Sequence, residues 1–136
     1  MQAKGTWEGG AQTTLDDLRG HVIQVDLPTD DGGENAGPTA LELNVLSLTG
    51  CITTIFAKVA RKRKITFSSM QVEIEADRPE GSPTITRVQG TFRLSSPTAR
   101  EDVETALRLT LKICPVGVIY ERAGIPVDLK LVLNGK

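Results

Sequence analysis

Residues Gly37 to Lys64 read GPTALELNVLSLTGCITTIFAKVARKRK, and the rest of the chain is organised around them. Between Leu43 and Ala57 there is no charged side chain. Leu41, Val45, Leu48, Ile52, Ile55 and Val59 recur at helical spacing, while Leu43, Leu46 and Phe56 lie off that stripe. A helix apolar on more than one face is expected to be buried. Asn44, Ser47, Thr49, Thr53 and Thr54 interrupt the run, and a membrane span needs about 20 predominantly apolar residues, so the segment reads as a core helix. Thr39-Ala40-Leu41-Glu42 has the form of a capping box at its start. Arg61-Lys62-Arg63-Lys64 closes it with cations that complement the helix dipole. At its centre sits Cys51, preceded by Gly50.

A chain of 136 residues is expected to form one domain, residues 1–136, with a core that needs no staples. The net charge of −1 and a pI near 5.8 leave no footprint for nucleic acid or an acidic membrane. The opening MQAKGTWEGG has no apolar core of leader length, so a cytoplasmic location is expected. Cys51 and Cys114 are 63 residues apart, without a CxxC motif and with His21 as the single histidine. That pattern excludes the common zinc frameworks and the thioredoxin motif, and no metal or cofactor is expected. A permanent structural disulfide does not suit a reducing cytosol, so the thiols are either inert core residues or a redox pair.

On either side of the central helix the periodicity is that of strands. Gln2–Glu8 and Ala11–Leu18 flank Gly9-Gly10 as a hairpin, and His21–Leu27 alternates apolar and polar residues. The polar, glycine-rich stretch Pro28 to Gly37 is a loop of the kind that borders functional sites. Met70–Ala76 alternates, as does the strand Ile85–Leu94 with Val88, Gly90, Phe92 and Leu94 opposite Arg87, Gln89, Thr91 and Arg93, which predicts a long antiparallel hairpin with one wet face. Thr98-Ala99-Arg100-Glu101 is a second capping-box pattern, opening a helix with the stripe Val103, Leu107, Thr110 and Cys114. Pro115 must kink or restart that helix, and Ile125–Leu133 reads as a final strand. The class is α+β with largely antiparallel sheet around a central helix. One amphipathic sheet face is modest cover for such a helix, so a second subunit is expected as the other wall.

A thiol is nucleophilic only as thiolate, and burial works against ionisation, so a catalytic cysteine needs a cation or hydrogen-bond donors nearby. Arg61 is ten residues from Cys51, roughly 15 Å along the helix axis, too far to serve. Arg19, in the turn Leu18-Arg19-Gly20, is the candidate cation, whereas His21 reads as a packed or solvated side chain.

The combination of Gly37-Pro38, Glu42-Leu43 and Gly50-Cys51 with Cys114-Pro115-Val116 on a second helix resembles the OsmC/Ohr superfamily. That resemblance spans nearly the whole chain. It implies an intertwined homodimer whose antiparallel sheets wrap the buried central helices, with sites at the interface. It further implies a thiol-dependent peroxidase in which Cys51 attacks a hydroperoxide and Cys114 resolves the sulfenic acid to a disulfide. A lipoyl-type or thioredoxin-type dithiol reductant would restore the thiols, and an apolar pocket would favour organic peroxides. In such peroxidases an early-loop arginine and a glutamate ahead of the cysteine hold the thiolate and the peroxide. Arg19 and Glu42 stand nearest to those roles, although the ten-before position of the family glutamate is Leu41 here and Glu42 lies nine before Cys51. The alternative from another functional class is an OsmC-like module that binds a small apolar or acyl ligand, or senses redox state.

Overall fold

The computed structural model describes residues 1–136, and the chain divides into two compact units, residues 1–46 and 47–136. In the first unit, β1 (Lys4–Gly9) and β2 (Gln12–Asp16) form the predicted hairpin, and β3 (Val22–Val25) pairs antiparallel with β2. Gly9 and Gly10 have φ of 120° and 54°, a conformation open to glycine, which is why the chain reverses there. Gly5 and Trp7, Thr13 and Leu15, and Ile23 and Val25 share one sheet face through the Gly5–Leu15–Ile23 and Trp7–Thr13–Val25 registers. That face is the apolar one, yet Trp7 is 72% exposed and Ile23 45%.

The loop after β3 is closely tied. Asp26 is buried, and its carboxylate accepts the backbone N–H groups of Leu27 (2.8 Å), Glu34 (3.1 Å) and Ala36 (3.0 Å). These bonds hold its carboxyl below the usual range, the Ala36 N–H contributing most. Gly33 lies against the Leu27 carbonyl and Gly37 against that of Gln24, leaving no room for a Cβ at either position.

The central helix, α1 (Ala40–Lys62), starts as predicted: the Thr39 N–H donates to Glu42 Oε2 at 2.8 Å and the Glu42 N–H to Thr39 Oγ1 at 3.1 Å. In the second unit its residues Leu48, Ile52, Phe56, Val59 and Ala60 are buried, a single face at i, i+4, i+8, i+11 and i+12. Phe56 anchors it, with ring centroids 4.6 Å from Phe92 and 6.1 Å from Phe67. Burial on all sides is therefore not what one chain provides: Leu46 is 55% exposed, and Gly50, Thr54 and Ala57 face outward. By length and composition alone α1 could cross a membrane, with a mean hydropathy of 1.5 in its most apolar window. The buried face around Phe56 instead places it as the core helix of its unit.

The second sheet comprises β4 (Ser69–Asp77), β5 (Arg87–Ser95) and β6 (Val127–Leu133). β4 and β5 form the expected antiparallel hairpin, whereas β6 runs parallel to β5. The parallel pairing follows from the helical crossover between them: α2 (Arg100–Ile113) and α3 (Pro115–Arg122) carry the chain back to the starting edge. The second capping box does not form. Ala99, which has no side-chain acceptor, occupies the cap, and the Thr98 N–H donates to Ser96 Oγ at 3.1 Å. Ser96 Oγ in turn donates to the Thr66 carbonyl, so this turn is built on the serine.

Candidate functional site

Cys51 lies mid-way along α1 and is half-buried; Cys114 lies between α2 and α3 and is fully inaccessible to solvent. Their sulfurs are 2.6 Å apart, and the Cys114 thiol donates toward Cys51 Sγ. That separation is well inside the contact distance of two unbonded sulfurs and about half an ångström beyond a disulfide. Two cysteines 63 residues apart in sequence are thus adjacent in the second unit.

The proline causes the placement of Cys114. A residue preceding proline is pushed out of the helical region, and Cys114 has φ −63° and ψ 115°. Its backbone still serves both helices: its N–H donates to the Thr110 carbonyl at 2.8 Å, and its carbonyl accepts the Val118 N–H at 2.9 Å. Freed from the lattice, its side chain becomes the N-cap of α3, and Sγ accepts the Gly117 N–H at 3.4 Å. Burial, followed by the hydrogen bond to Cys51, pushes the Cys114 thiol up to about 11; the Gly117 and Val116 N–H groups pull it in the opposite direction. Cys114 is therefore a neutral thiol at neutral pH.

Around Cys51 the helix carries polar crowding on one carbonyl. Thr53 Oγ1 and Thr54 Oγ1 both donate to the Gly50 carbonyl, at 2.8 and 3.0 Å, and Thr54 also reaches the Cys51 carbonyl at 3.1 Å. A Cβ built on Gly50 would meet nothing within 4 Å. Glycine is thus not required at position 50 by any contact within the chain.

The charged candidates belong to the first unit, and each is engaged locally. Glu42 closes the capping box with its carboxylate on the Thr39 N–H. Arg19 is exposed, with Nε 3.5 Å from Asp17 Oδ2. Asp17 organises that turn: its carboxylate accepts from the Arg19 N–H (2.8 Å), the His21 N–H (3.2 Å) and His21 Nδ1 (2.7 Å). The His21 hydrogen bond, with the Arg19 N–H next, lowers its pKa to about 2. The thiol pair is brought together; the two charged candidates are held in local structure of their own. Sequence reasoning missed the Gly117 N–H as a partner of Cys114, though Cys-Pro-Val-Gly carries the signal, a helix restart with the sulfur at the N-cap.

The family model described as OsmC-like protein matches residues 32–130. The chain belongs to this family. Its fold is that of an OsmC-like protein from Mycoplasma pneumoniae, with a TM-score of 0.86 at 14% identity over 97% of this chain and 95% of that one. The organic hydroperoxide resistance protein OsmC of Legionella pneumophila superposes with a TM-score of 0.70 at 17% identity over 96% and 94% of the two chains. The organic hydroperoxide resistance protein OhrB of Bacillus subtilis does so with 0.65 at 18% over 97% and 98%. A search of curated proteins returns no match. At these identities the structural likeness establishes the OsmC-like fold, and the chemistry has to be argued from the thiol pair.

Proposed function

We propose that this OsmC-like chain is a cysteine-based hydroperoxide reductase of oxidative-stress defence, cytoplasmic and homodimeric, with a preference for organic peroxides. The observation that carries the reading is a half-buried thiol 2.6 Å from a fully buried one at a helix break. Cys51, the reachable sulfur, attacks the hydroperoxide as thiolate. The O–O bond breaks, the alkoxide leaves and takes up a proton as alcohol, and Cys51 becomes a sulfenic acid. Cys114 attacks that sulfur, its proton leaves with the hydroxyl as water, and a disulfide remains. A dithiol reductant of lipoyl or thioredoxin type returns both thiols by exchange. Family membership and the fold shared with two organic hydroperoxide resistance proteins support the class of chemistry. The uncharged run from Leu43 to Ala57 around Cys51 supports the organic preference. The homodimer is supported by the outward face of α1, with Leu46 and Gly50, and by the exposed Trp7 and Ile23 of the first sheet.

A second reading is favoured by the engagement of Glu42 in its capping box and of Arg19 with Asp17. In it the fold is a ligand-binding module or redox sensor whose Cys51 lacks an activating cation. One experiment separates the two: titration of the reduced protein with cumene hydroperoxide and, separately, hydrogen peroxide, followed by free-thiol counts and intact mass. A reductase loses both thiols and about two mass units with one equivalent of organic peroxide. Its Cys51→Ser variant is inert, and its Cys114→Ser variant stops at the sulfenic acid or over-oxidises. Survival of both thiols in a large excess of either peroxide rules out the reductase.

A further inference from the structure

The two sulfurs of the pair differ in a way that gives the reductive half of the cycle a direction. Cys51 is half-buried and Cys114 has no solvent-accessible surface, so an incoming thiolate can reach one end of their disulfide and not the other. Cys114 Sγ also has a place to put charge: it caps α3, facing the Gly117 N–H at 3.4 Å. We propose that the reductant attacks the Cys51 sulfur and expels Cys114 as a thiolate onto the α3 N-terminus, with Gly117 as the positioning residue for that leaving group. This rests on the Cys51–Cys114 pair being a redox couple, as in the reductase reading, but not on peroxide being its oxidant.

The step balances as an exchange. The reductant's thiolate forms a bond to Cys51 Sγ, the Cys51–Cys114 bond breaks, and its electron pair stays on Cys114, which then takes a proton. The second thiol of the dithiol attacks the reductant sulfur of the mixed disulfide, releasing Cys51 and leaving the reductant as a disulfide. A buried sulfur is by itself a poor leaving group, since desolvation penalises the thiolate. The Gly117 N–H opposes that penalty at the moment the charge forms, as does the positive end of α3. A Cβ added at Gly117 would sit 3.4 Å from Cys114 Cβ and from the Leu111 carbonyl, and 3.6 Å from Sγ, an ordinary contact for alanine. The N–H, and not the missing side chain, is therefore the group the exchange depends on.

The test begins with protein oxidised by diamide, which forms the disulfide without any peroxide. Limited reduction with 2-mercaptoethanol, an acid quench, blocking with N-ethylmaleimide and peptide mapping then locate the mixed disulfide. The expected result is the mercaptoethanol adduct on Cys51 and maleimide on Cys114; an adduct mainly on Cys114 overturns the proposal. Gly117→Pro, which deletes the N–H, slows the exchange about tenfold at a fixed pH, because the leaving thiolate loses its donor. Gly117→Ala, which keeps the N–H, retains the wild-type exchange rate; rates that do not distinguish the two variants also overturn the proposal. Should Gly117→Pro fail to fold, the Gly117 amide resonance is followed by NMR in the Cys51→Ser protein while Cys114 titrates. It moves downfield with the thiol if the N–H holds the sulfur, and a stationary resonance refutes that role. Inert thiols toward peroxide would remove the reductase reading and leave this test standing, whereas failure of diamide to join Cys51 to Cys114 removes the redox couple itself.

Discussion

The protection of Cys114 can be put to a numerical test. Alkylation by iodoacetamide proceeds through the thiolate. The Cys114 pKa is raised from its ordinary 9.0 to about 11, so the thiolate fraction near neutral pH is lowered about a hundredfold. In a Cys51→Ser variant, Cys114 is the sole thiol, and burial, the largest cause of the shift, persists while the Cys51 contribution is gone. Native protein at about pH 8 should then react between tenfold and a hundredfold more slowly than the same protein in denaturant, and more slowly still if burial blocks approach. The rate should climb with pH well past 9, toward the raised pKa. Stability follows with a definite sign. A folded-state pKa above the unfolded value contributes stability that is complete below about 9 and is lost as pH rises toward 11. Native and denatured rates within about threefold of each other near pH 8 would refute both the burial and the reasoning from it.

Three further outcomes are expected. Phe56→Ala removes a ring with no solvent exposure that packs on Phe92 and Phe67, and should cost about 3–5 kcal/mol in chemical denaturation; a loss under 1 kcal/mol would mean that this cluster does not anchor α1. Asp17, lowered to about 2 chiefly by its His21 hydrogen bond, keeps its turn closed above its ordinary 3.8 and releases it as pH falls toward 2. A loss of protection at the Arg19 and His21 amides on acidification, taken relative to their intrinsic exchange rates at each pH, reports this, and unchanged protection contradicts it. Gly50→Ala, in open space within the chain, should raise helix stability by about 0.5–1 kcal/mol if that face meets only water; sedimentation showing a weakened dimer instead would place a second subunit against Gly50.

The elements were legible wherever periodicity was strong. The alternation in Met70–Ala76 and in the strand ending at Leu94 gave a hairpin, and the Pro115 signal gave the restart that frees Cys114. What periodicity cannot carry is strand direction: Val127 to Leu133 alternates identically whether its neighbour runs with it or against it, and the α2–α3 crossover decides for parallel. The same four-residue capping pattern was right at Thr39 and wrong at Thr98. The difference is Ser96, a buried hydroxyl that takes the Thr98 N–H, a competitor visible only once β5 and the turn are in place. An apolar face in sequence says that something covers α1, not which chain does, and within one chain Leu46 and Gly50 stay exposed.

The thiol pair shows how a few local rules assemble a site from residues 63 positions apart. Proline at 115 disfavours helical geometry at 114, the resulting extended residue points its sulfur back as a cap, and Gly117 presents its backbone N–H to that sulfur. From the other side, a long helix anchored by Phe56 carries Cys51 to the same point. The result is asymmetric in two respects that reinforce each other. The buried sulfur is the one kept neutral, and the accessible sulfur is the one free to meet a reactant. An inert core pair would have no use for that asymmetry, since two buried thiols pack equally well with both protonated and unreachable. Exposure and capping on this one chain therefore supply the asymmetry on which the proposed division between attacking and resolving sulfur rests.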